Sequence, residues 1–94
     1  MKLTATEINE QLKTLNGWTL DGAAITKDFK FSDFKTAFGF MTRVAAEAER
    51  LNHHPDWCNV YNKVTVTLSS HEVGGLTAID FELGAKMDRL ATEQ

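Results

Sequence analysis

The sequence predicts a two-layer α+β fold in which helices pack on one face of a four-stranded antiparallel sheet. Apolar residues recur first with helical spacing, then in extended runs, in the order α-β-β-α-β-β-α. Each pair of extended runs is separated by only a few residues, which favours hairpins and therefore antiparallel strands. With 94 residues, the chain is expected to form a single domain spanning residues 1–94.

The first third of the chain predicts a short helix followed by a β-hairpin. Thr4 and Glu7 have the spacing of a capping box with Thr4 as the N-cap, and apolar residues then follow helical spacing over 5–15. Asn16-Gly17 is typical of a helix end. Asp21-Gly22 predicts a tight turn between strands at 17–20 and 23–31.

A long amphipathic helix is predicted over residues 33–52. Ser32 is a suitable N-cap, and Pro55 requires the helix to end before it. One face is expected to pack on the sheet and carries Phe34, Ala37, Phe38, Met41, Val44, Ala45, Ala48 and Leu51. Phe40 lies off this face, which predicts either a contact with another subunit or a partly exposed ring.

The second half of the chain predicts two more strands and a final helix. Aromatic and β-branched residues are enriched in two runs, at 57–61 and 63–70. Alternation is expected to place four of their apolar side chains on one face: Val60, Val64, Val66 and Leu68. Gly74-Gly75 marks a loop, after which Thr77 caps a helix over 78–92. The exposed strand edges predict edge-to-edge association with a second chain.

Composition and charge argue against several classes of protein. The net charge of −3 and the absence of a basic patch give no general attraction to DNA or to an anionic membrane. A single cysteine cannot form an internal disulfide or a paired-cysteine zinc site. The sequence has no apolar run typical of a signal peptide or a membrane span, so a cytoplasmic location is expected.

All three histidines lie within a stretch bounded by Glu49 and Asp80. His53 and His54 are adjacent at the expected end of the long helix, and a hairpin is expected to bring His71 alongside them. Histidine exchanges protons near neutral pH, so the group predicts a site for general acid–base catalysis. Glu49 precedes His53 by four residues and is expected to orient its ring.

The residue types leave two other interpretations open. Three histidines are enough ligands for a catalytic zinc, although the adjacent pair lacks the i, i+4 spacing of metal-binding helices. Histidines at a helix end can also serve only as hydrogen-bonding groups. Cys58 has no evident activating base and is not expected to act as a nucleophile.

The pattern Glu49-x3-His53-His54-Pro55-x5-Tyr61-x9-His71-x8-Asp80 resembles the signature of the pterin-4a-carbinolamine dehydratases. Segments 31–45 and 53–72 are similar to the animal-type branch of this family, and the likeness runs continuously from Gly17 to Asp80. The resemblance implies a hydro-lyase that dehydrates 4a-hydroxytetrahydropterin, the product of aromatic amino acid hydroxylases, to quinonoid dihydropterin. It implies no metal and no other cofactor.

The resemblance also implies roles for individual residues. His53 and His71 are expected to be the acid–base pair, with His54 binding or orienting the pterin and Glu49 as a supporting carboxylate. The candidate substrate-binding residues are Trp57, Asp80, Ser69 and Ser70. Trp57 is expected either to cover the flat pterin or to pack in the core, whereas Asp80 is equally suited to a structural role.

The resemblance implies that two chains form a dimer with a continuous sheet. Two such dimers are then expected to pair through their long helices into a tetramer. This implies a homotetramer, with the apolar surface at Phe40 in the helix interface. The alternative function is a protein-binding module, because animal-type relatives act as dimerisation cofactors of a homeodomain transcription factor through the same helix. Such a coactivator role would need a protein partner rather than direct contact with nucleic acid.

Overall fold

The computed structural model describes residues 1–94 and has the predicted order of elements. The elements are α1 (Ala5–Leu12), β1 (Thr19–Asp21), β2 (Ala24–Lys30), α2 (Phe34–Leu51), β3 (Asp56–Val60), β4 (Lys63–Leu68), a 3₁₀ turn (His71–Val73) and α3 (Ala78–Thr92). The bounds of α3 agree with the prediction. Helix α1 is three residues shorter than predicted, because the chain continues to residue 15 only as turns.

The four strands form one antiparallel sheet in the order β1-β2-β4-β3. The two hairpins therefore meet through β2 and β4, and the sheet has free edges at β1 and β3. Tyr61 begins the turn between β3 and β4 with a φ of 52°. Two hydrogen bonds hold this turn against the first hairpin. Phe31 N donates to Asn62 O, and the side-chain amide of Asn62 donates to Phe31 O.

A single hydrophobic core lies between one face of the sheet and the helices. The core cluster consists of Trp18, Ile25, Phe29, Ala37, Phe40, Val44, Val64, Val66, Leu68, Leu76, Phe81, Leu83 and Met87. Residues from α1 border this cluster, so all three helices pack on the same side, as predicted. Each large apolar side chain buried here contributes about 1.5–3 kcal/mol to folding.

The buried face of α2 differs from the predicted one. Phe40 is completely buried, and its ring centroid lies 4.9 Å from those of both Phe29 and Phe31. Phe34 and Phe38 are instead 51% and 53% exposed, with ring centroids 5.7 Å apart. The predicted placement of Phe40 at an outer surface is therefore wrong. Phe40 lies at one edge of the apolar arc of α2 and Phe38 at the other, so the spacing alone does not tell which edge contacts the sheet.

Val60 also lies on a different face of the sheet from the predicted one. It was expected on the core face, but it is 64% exposed and lies opposite Lys63 in the ladder. Residues directly opposite each other in an antiparallel pair project from the same face. The two-residue turn therefore places Val60 on the open face with Lys63, while Trp57 shares the core face with its partner Val66.

Asp88 of α3 anchors the helix layer to the sheet. Its carboxylate accepts from Lys27 Nζ at 2.7 Å and from Trp18 Nε1 at 3.0 Å. Both members of the ion pair are mostly buried, with 17% of the Lys27 side chain and 21% of the Asp88 side chain exposed. This contact fixes α3, which carries part of the site described below. No helix of the protein has the length and apolar character needed to cross a membrane.

Candidate functional site

The histidines come together where α2 ends and β4 ends. Asn52 ends α2 in the left-handed conformation, with a φ of 51°. His53 N then donates to Ala48 O at 3.0 Å, and the chain turns into β3. Because β3 starts opposite the end of β4, with Asp56 paired to Thr67, the residues that flank these strands lie at the same end of the sheet.

A cleft at this end of the sheet has two adjoining parts. The polar lobe, about 320 Å³, is lined by Asn52, His53, His54, Ser69, Ser70, His71 and Glu72. The mixed lobe, about 330 Å³, is lined by Met1, Asn52, His53, Ser70, Glu72, Val73, Thr77, Ala78 and Ile79. The structure therefore brings all three histidines into one cleft, as the hairpin predicted. Either lobe alone is at the lower end of the volumes usual for small-molecule sites.

His53 is held by a buried carboxylate. Its Nε2 lies 2.5 Å from Asp80 Oδ1, and no part of the Asp80 side chain is exposed. The other carboxylate oxygen, Oδ2, accepts from Ser70 Oγ at 2.8 Å and from Thr77 N at 2.9 Å. Asp80 lies in the first turn of α3, where the helix dipole also stabilises a negative charge. A buried carboxylate needs such partners to remain charged.

His54 is paired with Glu49, the partner that was expected for His53. His54 Nε2 lies 2.7 Å from Glu49 Oε2, and the side chains are 58% and 77% exposed. The predicted orientation of His53 by Glu49 is therefore wrong. It assumed that the helix continues to His53, but Asn52 leaves the helical path, which directs His53 to α3 and leaves His54 beside Glu49.

The structure separates the remaining candidates into cleft and non-cleft residues. Ser69 and Ser70 line the polar lobe, and His71 is exposed at the start of the 3₁₀ turn. Trp57 packs against the core and lines neither lobe. Asp80 has no exposed surface with which to contact a ligand, so the expected direct contact with substrate does not fit its position.

Three polar residues that line the cleft were not among the sequence candidates. Asn52 and Glu72 line both lobes, and Thr77 lines the mixed lobe while its backbone binds Asp80. Asn52 and Thr77 were recognised as a helix end and a helix cap, but their local roles gave no sign of the cleft. The available signal was adjacency to a candidate histidine, because Asn52 directly precedes His53 and Glu72 directly follows His71.

The side chains do not form a metal-binding cluster. No group of three or more histidine, cysteine, aspartate or glutamate side chains has the geometry to hold a metal ion. The three imidazoles thus share a cleft without meeting at one point, whereas a catalytic zinc takes three protein ligands at about 2.0–2.3 Å. The arrangement presents separate proton-exchanging groups around a common space.

Comparison with protein families identifies a match over nearly the whole chain. The model described as "Pterin 4 alpha carbinolamine dehydratase" matches residues 1–90. A protein of Sinorhizobium fredii is 59% identical over 92 residues, covering 96% of this chain and 88% of the relative. A protein of Brucella ovis is 51% identical over 92 residues, covering 96% and 95%. Both relatives carry the provisional name pterin-4-alpha-carbinolamine dehydratase.

Two solved structures are also similar. The crystal structure of a transcriptional coactivator/pterin dehydratase from Brucella melitensis has a TM-score of 0.94 and 50% identity, covering 97% of this chain and 99% of that one. A pterin dehydratase-like protein described as a RuBisCO assembly factor in the α-carboxysome has a TM-score of 0.70 and 23% identity, covering 81% and 90%. At this lower identity the likeness concerns the fold alone.

Proposed function

The chain belongs to the pterin 4 alpha carbinolamine dehydratase family, and from this premise we propose that it is a hydro-lyase acting on 4a-hydroxytetrahydropterin. The observation that carries the proposal is the cleft shared by His53, His54 and His71. The product is quinonoid dihydropterin, and the reaction needs no cofactor. In this role the protein returns the pterin released by aromatic amino acid hydroxylases to their cofactor cycle in the cytoplasm.

The reaction consists of proton transfers around one bond cleavage. The bond between carbon 4a and its hydroxyl oxygen breaks with both electrons going to oxygen, which takes up a proton and leaves as water. A neighbouring ring nitrogen loses its proton, and the electrons of that N–H bond form the new C=N bond. One acid and one base are therefore required, and imidazoles with pKa values near neutrality can serve as both.

His53 and His71 are the proposed acid–base pair. They line the same polar lobe but are held differently: His53 is fixed by buried Asp80, whereas His71 is exposed at the start of a short turn. His54, paired with Glu49, is proposed to bind and orient the pterin from the outer rim. General acid–base groups of this kind supply a factor of ~10²–10⁴ in rate.

The two lobes suggest how the substrate lies. The polar lobe has no apolar lining residue and suits the hydrogen-bonding ring system, with Ser69 near its amide edge. The mixed lobe adds Val73 and Ile79, each 37% exposed, and suits the substituent carried by the ring. A site with this division buries apolar parts while a few polar groups fix the orientation.

Self-association is proposed to use the sheet edges and the outer face of α2. β1 and β3 offer free edges for a continuous sheet between two copies. Phe34 and Phe38 form an exposed aromatic pair on α2, which supports pairing of dimers into a tetramer through this helix. These two rings take the place that the sequence assigned to Phe40.

A second candidate function is that of a coactivator that binds a protein partner. The description of the Brucella melitensis protein as a transcriptional coactivator favours it, and the exposed Phe34–Phe38 pair offers a surface. The net charge of −3 disfavours direct contact with DNA. Native mass spectrometry after mixing with a candidate partner helix separates the functions: a mixed complex supports the coactivator, and an unchanged homo-oligomer does not.

The dehydratase proposal is tested by the rate of 4a-hydroxytetrahydropterin dehydration in metal-chelated buffer. We expect wild-type activity to survive chelation and to fall by ~10²-fold or more in His53→Ala and in His71→Ala. A folded but inactive wild type would contradict the proposal and favour the coactivator. Activity that is lost on chelation and restored by zinc would mean that a metal takes part.

A further inference from the structure

We propose that Ser70 is a positioning residue that acts through Asp80, and that together they make His53 exchange protons through Nδ1. The inference rests on the dehydratase function proposed above and assigns the reacting atom of one catalytic histidine. It also gives Ser70 a role different from substrate binding, which was the expectation from the sequence. Four hydrogen bonds among His53, Ser70, Thr77 and Asp80 carry it.

The first step concerns the hydrogen of the Ser70 hydroxyl. Ser70 Oγ donates to Asp80 Oδ2 at 2.8 Å and lies 2.9 Å from Thr77 Oγ1. A hydroxyl has one hydrogen, so the Thr77 hydroxyl must be the donor in the second contact. The chain of donation runs from Thr77 to Ser70 to Asp80. Ser70 is only 6% exposed and has no hydrogen left for a substrate.

The second step concerns the Asp80 carboxylate. Its Oδ2 accepts from Ser70 Oγ and from Thr77 N. These two residues lie on either side of the 3₁₀ turn. These bonds fix the plane of the carboxylate and leave Oδ1 directed at His53 Nε2, 2.5 Å away. Because the carboxylate is completely buried, water cannot replace a donor that is removed.

The third step concerns the ring of His53. An ionised carboxylate only accepts hydrogen bonds, so Nε2 must carry a proton. In the neutral ring Nδ1 is then the unprotonated nitrogen, and it is the one atom that can take a proton from substrate or return it. A buried aspartate fixes the tautomer of a catalytic histidine in the same manner in serine proteases, where its replacement by asparagine costs ~10⁴ in kcat.

The tautomer can be measured without any activity. The chain has three histidines, so a long-range ¹H–¹⁵N spectrum contains three imidazoles, and His53→Gln identifies the ring of His53. We expect a protonated Nε2 in the wild type at pH 8, and a mixture of tautomers in Asp80→Asn. An unprotonated Nε2 in the folded wild type overturns the inference. This result stands even where the wild type proves not to be a dehydratase.

Kinetics then test whether Ser70 acts through Asp80. For Ser70→Ala we expect kcat to fall about tenfold with KM within about twofold, since the lost bond orients the base rather than the substrate. Ser70→Thr, which keeps a hydroxyl, restores most of kcat. Asp80→Asn loses ~10²-fold or more, and adding Ser70→Ala to it causes no further loss.

The controls separate positioning from general damage to the fold. Thr92→Ala removes a hydroxyl from the exposed C-terminal end of α3, the helix that carries Asp80, and kcat should not change. Thr77→Val removes the first donor of the chain and provides a second variant where Ser70→Ala fails to fold; we expect kcat to fall about threefold. A higher KM with unchanged kcat in Ser70→Ala, or additive losses in the double variant, would overturn the inference.

Discussion

The face of α2 that meets the sheet gives the sharpest test of the fold and of its association. Phe40 is fully buried, whereas Phe38, two residues earlier on the same helix, is 53% exposed. Truncating the first ring should create a cavity, and truncating the second should not. We therefore compare Phe40→Ala with Phe38→Ala, and then with a Phe34→Ser/Phe38→Ser double variant.

The expected magnitudes follow from burial. Replacing a buried phenylalanine by alanine costs about 3–5 kcal/mol, because the transfer term and a cavity term add. A chain of this length is usually stable by only about 5–14 kcal/mol, so Phe40→Ala should lose a large part of its stability. Phe34 and Phe38 each leave about 100 Å² exposed, which is worth about 2.5 kcal/mol per ring when an interface covers it.

Two assays read these effects separately. Urea unfolding at fixed protein concentration should show a much lower midpoint for Phe40→Ala than for Phe38→Ala. Native mass spectrometry should show that the Phe34→Ser/Phe38→Ser variant no longer forms the helix-paired tetramer and remains a folded smaller species. Equal destabilisation by Phe40→Ala and Phe38→Ala would refute the assigned face. An unchanged tetramer in the double variant would refute the interface on α2.

Three further predictions concern the contacts that hold the cleft in place. Asp88→Asn weakens the mostly buried bond with Lys27 and should lower the free energy of unfolding by about 1–3 kcal/mol, measured by urea unfolding. Asn52→Gly should keep both stability and KM, because glycine adopts the left-handed conformation freely, whereas Asn52→Val should lower the unfolding temperature and raise KM by displacing the histidines. Hydrogen bonds from the Thr36 side chain and backbone N–H hold the pKa of the Asp33 carboxyl below its ordinary value of 3.8, so the stability that it contributes should be complete above about pH 4 and lost as the pH falls through the lower folded pKa. The unfolding temperature of the wild type should therefore fall more steeply than that of Asp33→Asn in this acid range.

Each of these has a result that contradicts it. An unchanged unfolding free energy in Asp88→Asn would mean that the ion pair does not anchor α3. Equal KM values in the glycine and valine variants of Asn52 would show that the conformation at the end of α2 does not affect substrate binding in the cleft. Parallel acid profiles for the wild type and Asp33→Asn would show that this carboxylate contributes no charge-dependent stability.

Local chemistry was enough to predict the elements and their order. The caps at Thr4 and Thr77, the turn at Asp21-Gly22 and the proline after α2 act through neighbouring residues, so a sequence displays them directly. The family signature likewise pointed to the three histidines. Phe40 and Val60 were misplaced, because the side that an element buries depends on partners that are distant in sequence.

The pairing of carboxylates with histidines is a clear case of this limit. Glu49 and His53 have the i, i+4 spacing of helix neighbours. However, Asn52 adopts the left-handed conformation and ends the helix, so Glu49 pairs with His54 instead. The true partner of His53 is Asp80, 27 residues away. The spacing of neighbouring residues does not predict a hydrogen bond between the end of one helix and the first turn of another.

The sequence by itself determined the α+β class, the family and the residue types that can exchange protons, because periodicity, capping and a fixed motif are properties of the chain. Only the tertiary structure decided which aromatic rings lie in the core and which carboxylate holds which histidine. It also decided that the Ser70 hydroxyl donates to the Asp80 carboxylate. The physical reason is that burial and hydrogen-bond partnership depend on packing between β4, α2 and α3, which close the cleft only when the whole domain is assembled.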